Sequence, residues 1–443
     1  MSLPPTPVAA GDTRWSEVAR RRRAQQRAQA PGRHLWDDAE AGPLQQRRPR
    51  TGLDVLLGAA LMLSIGVPLP LVGGAPLGDL AVFALIVLAV LRRPVRDAQL
   101  LQAGVLLAIL VLLAMSVASG LQGIDELAIL RRLVRIAALG TLVLMCASGR
   151  VDLRAILHGA ALTLLINIPL FYAGLLPRPY DDYLTGLVDD KNVAGFLYAV
   201  LPVLLVATLR SVRAKVVVLG AGAVPVYLTG SRTAIAAYAC AVLWLLIAPR
   251  LRVAARLLLV GVMGIVVSYA EENFAQIGVF ASRTGTDWLR DQIHEASWEK
   301  TLAAPWHGYG VGTATVEVGF SRWFYHQSYL GLWTEGGFIF FAAVLAAYLV
   351  FGLRPFSRSV RSPSRVAVEA ATVVVLVVAT QLGETFLSIG GALVLAAGAV
   401  LLVAEHGTPP TDAERRRRAA QLRMRAQRAF TTEDGSPAAA LRR

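Results

Sequence analysis

Trp323-Phe-Tyr-His-Gln-Ser-Tyr-Leu-Gly-Leu-Trp-Thr-Glu-Gly-Gly337 closes the longest polar segment between two apolar spans and runs straight into the second of them. An apolar run entered through Trp323, Tyr325 and Trp333 reads as a membrane helix with its interfacial aromatic belt. His326 sits at the junction, with Gln327, Ser328 and Tyr329 beside it. One imidazole at a membrane interface, on a firm helical base, is well placed to move a proton near a lipid headgroup. An interfacial histidine in an aromatic belt explains the same residues without any chemistry. The rest of the chain has to separate the two readings.

Outward from this stretch the chain is apolar. Of its 443 residues 55% are hydrophobic and 17% charged, and the mean hydropathy is +0.53. A soluble protein of this length carries more charge. The apolar residues come in runs of about 17–22, long enough to cross a ~30 Å hydrocarbon core. Backbone groups in lipid must be satisfied internally, which leaves helices or a closed barrel. The runs are continuous rather than alternating, which selects helices. The expected fold is an all-α polytopic membrane protein of about twelve transmembrane helices. The spans are expected near 53–73, 77–92, 99–119, 132–148, 155–176, 192–209, 214–229, 232–249, 252–270, 327–352, 366–384 and 387–404. One long loop, 271–326, separates the ninth from the tenth, and the connection 120–131 is amphipathic, interfacial or re-entrant.

The net charge of +14 does not point to nucleic acid. Basic residues gather in the tails and short loops, as membrane topology requires. Arginine supplies 41 of the 44 cations, lysine only Lys191, Lys215 and Lys300. Residues 1–52, with Arg20-Arg-Arg-Arg23, read as a disordered or loosely helical cytoplasmic arm, and no cleavable signal peptide is expected. The tail 405–443, with Arg415-Arg-Arg-Arg418, mirrors it, and either tail suits an anionic lipid surface. Cys146 and Cys240 fall inside apolar spans, so neither a disulfide framework nor a metal cluster is expected.

Charge sets the orientation. With a cytoplasmic N-terminus, the five inner loops hold fifteen cations and the outer side holds ten, four of those in the long loop. Both termini are therefore expected in the cytoplasm of a multi-pass inner-membrane protein. The outer cations then stand out. Arg232 sits in a connection of a few residues, Leu228-Thr-Gly-Ser-Arg-Thr-Ala234. Arg131, Arg132 and Arg135 crowd the outer end of the fourth span, and Arg283 follows Ser282 in the long loop. Each alone can be a snorkelling residue or have a local carboxylate partner. Together they make a positive outer surface suited to a phosphate-bearing lipid.

Several segments line up in order. Asp189-Asp-Lys-Asn-Val-Ala-Gly195 opens the sixth span and Gly230-Ser-Arg-Thr-Ala234 the eighth. Ser282-Arg-Thr-Gly-Thr-Asp-Trp288 and Pro305-Trp-His-Gly-Tyr-Gly-Val-Gly312 lie in the long loop. His326-Gln327, with Glu335-Gly336-Gly337, opens the tenth span. The series resembles the O-antigen ligase and O-antigen polymerase family of bacterial membrane glycosyltransferases. The motifs cover roughly 185–345, and the span layout extends the resemblance to about 53–404. Each motif is short; order, spacing and placement on one face make the combination specific. Two positions depart from the family pattern. Phe340 stands where a second glycine is usual, and Thr233 replaces the commoner glycine after Arg232. Residues 1–52 have no counterpart.

The resemblance implies a reaction at the extracytoplasmic face. A glycan on undecaprenyl pyrophosphate passes to an acceptor hydroxyl, on a glycan or a lipid, with inversion at the anomeric carbon. Pyrophosphate is already a good leaving group, and guanidinium forks can take up its developing charge. Arg232 and Arg283 are the first candidates, with Arg131, Arg132 and Arg135 as a looser second set. His326 takes the place of the family histidine that handles the acceptor proton. No metal and no cofactor are expected, because the outer loops lack an Asp-x-Asp or His/Glu ligand pattern. Asp189-Asp190 reads as a cap for the helix beginning near Asn192. The glycine turn 308–312 lacks the strand-turn-helix context of a nucleotide loop. Glu335 reads as a structural carboxylate, since nine residues from His326 is 2.5 helical turns. Glu384 is a partner for an outer arginine, and His294 and His307 read as surface histidines. A flippase or polysaccharide transporter is the competing class, and a polytopic scaffold with basic tails is a third. A flippase calls for cations deep in the spans, whereas these sit at one interface. Ligase and polymerase share donor, topology and motif order and differ only in acceptor.

Overall fold

The structure, a computed structural model, describes residues 44, 52–64, 75–118, 126–273, 284–355 and 361–406. Arg283 and nearly all of both basic tails lie outside the described residues. The chain divides into two compact units at residue 403, and the elements below belong to the first, save the last turn of α13. Among the described residues there are thirteen α-helices. They are α1 (Gly52–Ala60), α2 (Leu77–Val90), α3 (Gln99–Ala118), α4 (Glu126–Ala147), α5 (Leu153–Tyr172), α6 (Lys191–Thr208), α7 (Val212–Leu228), α8 (Arg232–Ile247), α9 (Val253–Asn273), α10 (Thr284–Leu302), α11 (Ser328–Ala347), α12 (Pro363–Val378) and α13 (Ile389–His406). A hairpin of β1 (Thr315–Val318) and β2 (Ser321–Phe324) precedes α11, which continues into a π-helical turn at Tyr348–Leu353.

Four stretches are long and apolar enough to cross a bilayer, namely Leu153–Tyr172, Lys191–Thr208, Arg232–Arg250 and Ser328–Leu353. Leu77–Val90, Val253–Val267 and Ile389–Glu405 are shorter apolar helices. Large apolar side chains such as Val87, Leu165, Leu258 and Ile265 are exposed along these helices. Runs of that kind suit a lipid surround and would be a liability in water. Three boundaries differ from the sequence expectation. α1 ends at Ala60 and gives way to a turn, where the first span was expected to run on to 73. α4 begins at Glu126, so Arg131 lies on the helix with Arg132 and Arg135 and not just before it. α12 ends at Val378, so Glu384 falls in the turns that follow.

Starts and packing follow from local chemistry. Asp152, Asp190 and Ser362 cap α5, α6 and α12 by accepting from backbone N–H groups of the first turn, as short oxygen-bearing side chains do. α1 crosses α5 at two glycines. A Cβ on Gly58 would lie 2.5 Å from Ile156 Cα, and one on Gly159 would lie 1.9 Å from Val55 O. Small residues at such a crossing let two backbones approach within a membrane. α12 is buried along almost its whole length and packs against α6 and α8. Its valines therefore form the middle of the bundle.

Polar groups collect at two opposite ends. At one end Arg92, just past α2, donates to Asp54 at 2.8 and 2.9 Å and to Arg150 O at 3.1 Å. Asp152 N also donates to Asp54, at 3.1 Å. The end of α6 and the start of α12 share this side, where Ser364 donates to Ala207 O. At the other end lie the start of α2, the first half of α4, the starts of α6, α8 and α11, and the end of α12. A small cap of α10 and the hairpin covers α11 there, around Ile293, Val316, Tyr325 and Leu330. Lys300 ties the cap together by donating to Thr313 O and Thr315 O, both at 2.8 Å.

Candidate functional site

His326 lies between β2 and the first residue of α11, and its backbone is fixed on both sides. Tyr325 is buried and its N–H donates to Ala314 O at 3.1 Å. Ser328 N donates to Ala379 O at 2.9 Å, and Ser328 Oγ accepts from Thr385 N at 2.9 Å. The segment after α12 runs hard against this junction, since a Cβ on Gly383 would lie 1.9 Å from Tyr325 O. The His326 ring is exposed, yet protein crowds one side of it. That partial desolvation, and then the Arg290 guanidinium, lower its pKa below the ordinary 6.5, against an opposing pull from Asp190. The ring is therefore neutral at neutral pH and able to accept a proton.

Asp190 is held in place. Its Oδ1 accepts from Asn192 N at 2.7 Å and Val193 N at 2.9 Å, and its Oδ2 accepts from Tyr180 Oη at 2.9 Å. Burial, followed by the Asp190 charge, pushes the Tyr180 phenol up to about 12. With both oxygens accepting hydrogen bonds, Asp190 serves as the cap of α6. The Lys191 ammonium stands 5.2 Å from the Tyr180 ring centroid and 4.8 Å from that of Tyr183. The loop that carries these tyrosines is pinned from below by Asn167. Its Nδ2 donates to Thr185 O at 2.9 Å and its Oδ1 accepts from Leu187 N at 2.8 Å.

Two of the sequence motifs meet here. Tyr183 packs on Gly230, where a Cβ would lie 2.2 Å from the ring. Gly195 faces Ser231 and Ala234, each with its Cβ 2.8 Å from where a glycine Cβ would sit. The segment 189–195 and the segment 230–234 therefore form one shelf, and Arg232 is the first residue of α8 upon it.

The other two described motifs meet beneath the cap. α11 is broken at Gly337, which has φ 66° and ψ −173°. The break frees carbonyls that a continuous helix would use. Tyr309 N donates to Thr334 O at 2.7 Å, Gly310 N to Glu335 O at 2.9 Å, and Phe338 N to Trp306 O at 3.2 Å. Residues 306–312 are thus threaded into the gap. Phe340 is buried and packs on Gly336.

Arg132 and Arg135 are taken up by carboxylates. Arg132 donates to Glu335 Oε2 through Nε at 3.1 Å and Nη2 at 3.0 Å, and its Nη1 reaches Glu384 at 3.3 Å. Arg135 lies 3.4 Å from Glu384 and 3.2 Å from Asp79. Glu335 is buried and also accepts from Gly312 N at 3.2 Å. Two guanidiniums and three carboxylates therefore join α2, α4, α11, the glycine turn and the segment after α12. Arg132, Glu335 and Glu384 line a cavity of about 20 Å³, room for a water molecule. Arg131, on the same helix, is exposed.

No protein-family model matches the chain, and no curated protein sequence matches it either.

Arg290 and Asp190 thus both act electrostatically on His326, Asp190 and Lys191 sit at Tyr180, and the Arg232 element lies against the same loop. Arg290 stood among the outer cations in the sequence but was not singled out. Its signal was present. Leu289, Ile293, Ser297 and Thr301 recur at helical spacing in the polar segment 284–302, with Arg290 at the edge of that face.

Proposed function

We propose that the protein is a multi-pass glycosyltransferase similar to the O-antigen ligases and polymerases. In this reading twelve spans cross the inner membrane, both termini are cytoplasmic, and the end that bears His326 faces outward. The donor is a glycan on undecaprenyl pyrophosphate, and the acceptor is a hydroxyl of a second glycan or a lipid. The observation that carries the reading is an exposed His326 on a rigid backbone, within the electrostatic reach of Arg290 and of Asp190, which belongs to the shelf that bears Arg232.

The chemistry follows from those groups. The acceptor oxygen attacks the anomeric carbon, and the bond from that carbon to the pyrophosphate oxygen breaks. The electron pair leaves on pyrophosphate, where Arg232 and Arg290 offset the developing charge. The acceptor proton passes to His326 and from there to water. Arg283 keeps its place as a candidate from the sequence. Arg132 and Arg135 are assigned instead to holding the fold, because their charge is already met by Glu335, Glu384 and Asp79.

The test is transfer by the purified protein from an undecaprenyl-pyrophosphate-linked glycan. His326→Ala should express and bind donor nearly as well as the wild type while transferring about 10²–10⁴-fold more slowly. Undiminished transfer would remove His326 from the mechanism. Movement of intact donor between leaflets, without a new glycosidic bond, would make the protein a flippase.

A further inference from the structure

The aromatic residues that the sequence offers as an interfacial belt are turned inward. Tyr325 is buried in the cap, and Trp323 packs against the same cluster. Trp333 is half-buried, with its ring centroid 5.8 Å from that of Phe338. No residue from 328 to 337 is exposed, so protein encloses the first piece of α11. The open surface of α11 starts past the break, at Phe338 and Ile339, which are 56% and 49% exposed. From 338 to the end of the apolar stretch at Leu353, a helix rises at most about 24 Å. A hydrocarbon core is ~30 Å thick, and Arg354 closes the far end of the stretch. The shortfall therefore lies at the end where the cap sits.

The cap presents apolar surface at that place. Phe338 N donates to Trp306 O at 3.2 Å, which sets Trp306 beside the break. Trp306 is 68% exposed, Leu302 is 65% exposed and Trp298 is 51% exposed. Asp291, Glu295, Trp298 and Leu302 recur at helical spacing, so they form one exposed stripe along α10. That stripe is acidic in its first half and apolar in its second. Glu299, also exposed, lies about 60° round the helix from Leu302. A helix face wholly in water is polar throughout, whereas this one changes character along its length. The backbone at the apolar end is suited to lipid, which offers no hydrogen-bond donors. The carbonyls of Thr301, Ala303, Pro305 and Trp306 accept from Ala304 N, Tyr309 Oη, Gly308 N and Phe338 N in turn.

We infer that Trp298, Leu302 and Trp306 form a foot that inserts the cap into the lipid leaflet at the His326 end, continuous with the lipid-facing Phe338 and Ile339. The partner is the bilayer itself, met by apolar contact, and the acidic half of the stripe stays in water. Tryptophan suits such a boundary because its ring is apolar and its N–H is polar. The inference does not depend on which reaction this end performs. Because α10 also carries Arg290, the foot fixes the height of that guanidinium above the lipid.

The experiment places nitroxide labels on the full-length protein in nanodiscs, one protein to a disc, after Cys146→Ala and Cys240→Ala. Labels go at Leu302→Cys and Trp298→Cys in the foot, and at Glu295→Cys for comparison. Thermal unfolding checks each variant, and either foot position alone decides the outcome. Collisions with oxygen, which enters lipid, are measured against collisions with a water-soluble nickel chelate. The oxygen-to-nickel ratio should be several-fold higher at the foot than at Glu295→Cys. It should be the same in neutral phosphatidylcholine discs and in discs containing phosphatidylglycerol. Foot labels as open to nickel as Glu295→Cys would overturn the inference. Shielding from both reagents would mean that protein covers the foot, and would overturn it too. Insertion seen only with phosphatidylglycerol would replace apolar contact with charge attraction and overturn it as stated.

Discussion

In the proposed mechanism the imidazole of His326 must be neutral to accept a proton, so its environment would fix the acid limit of turnover. Partial desolvation and Arg290 both hold its pKa below 6.5. The acid limb of the rate profile should therefore fall below pH 6.5, and transfer should survive mild acidification. Removing the guanidinium in Arg290→Gln removes one lowering influence, so the limb should move upward as donor affinity falls. A limb that stays put in Arg290→Gln would show that another group titrates there. Arg232 makes a different prediction. Arg232→Lys keeps the charge but loses the bidentate fork, so much of the activity should go. Arg232→Ala should cost about 2–4 kcal/mol of transition-state stabilisation, by analogy with lost oxyanion donors. Equal rates for Arg232→Lys and the wild type would leave Arg232 as a topology anchor. At this scale the sequence was a good guide to single residues. Asp190 does cap α6, and Glu384 does pair with Arg132 and Arg135. What it could not supply was which cations were already neutralised, because Glu335 meets Arg132 across 203 positions of sequence.

Between elements, two joints hold the candidate site. The first is the ion pair of Arg132 with buried Glu335. Cutting a buried pair on one side strands a charge and typically costs about 3–5 kcal/mol. Glu335→Gln should fall near the low end, about 3 kcal/mol, because Arg132 still has Glu384. Arg132→Met with Glu335→Met should recover much of that loss, since apolar packing can replace a buried pair. Thermal unfolding of the two proteins side by side decides it, and an unshifted Glu335→Gln would mean the pair holds nothing. The second joint is the break at Gly337. A Cβ there would lie 1.9 Å from Trp306 O, at a φ that side chains rarely adopt. Gly337→Ala should therefore insert in the membrane but dislodge the glycine turn and lose transfer. Wild-type transfer by Gly337→Ala would show that the turn does not support His326. Neither joint was legible in advance. Gly336-Gly337 looks like ordinary membrane-helix glycine, and its purpose appears only when residues 306–312 fold back into it. The long segment 271–326 read as a loop because its helix α10 is polar. The apolar helices were easier, since continuous runs leave the backbone little else to form.

Across the whole molecule, the two polar ends make a topology test direct. Ser321 lies on the hairpin at the His326 end, and Ser359, outside the described residues, precedes α12 in the sequence. In intact cells Ser321→Cys should react with an impermeant thiol reagent and Ser359→Cys should be protected. The reverse pattern would turn the proposed orientation over. On the proposed function, the break at Gly337 would also uncouple the His326 end of α11 from the bilayer's thickness. A continuous helix answers a thicker or thinner membrane by tilting as a rigid rod. In α11 the outer piece is held by the threaded turn, so the inner piece can lean without carrying His326 with it. Turnover in nanodiscs should then stay nearly level as lipid acyl chains lengthen from about 14 to about 20 carbons, which would let one enzyme work through membranes whose composition shifts with growth conditions.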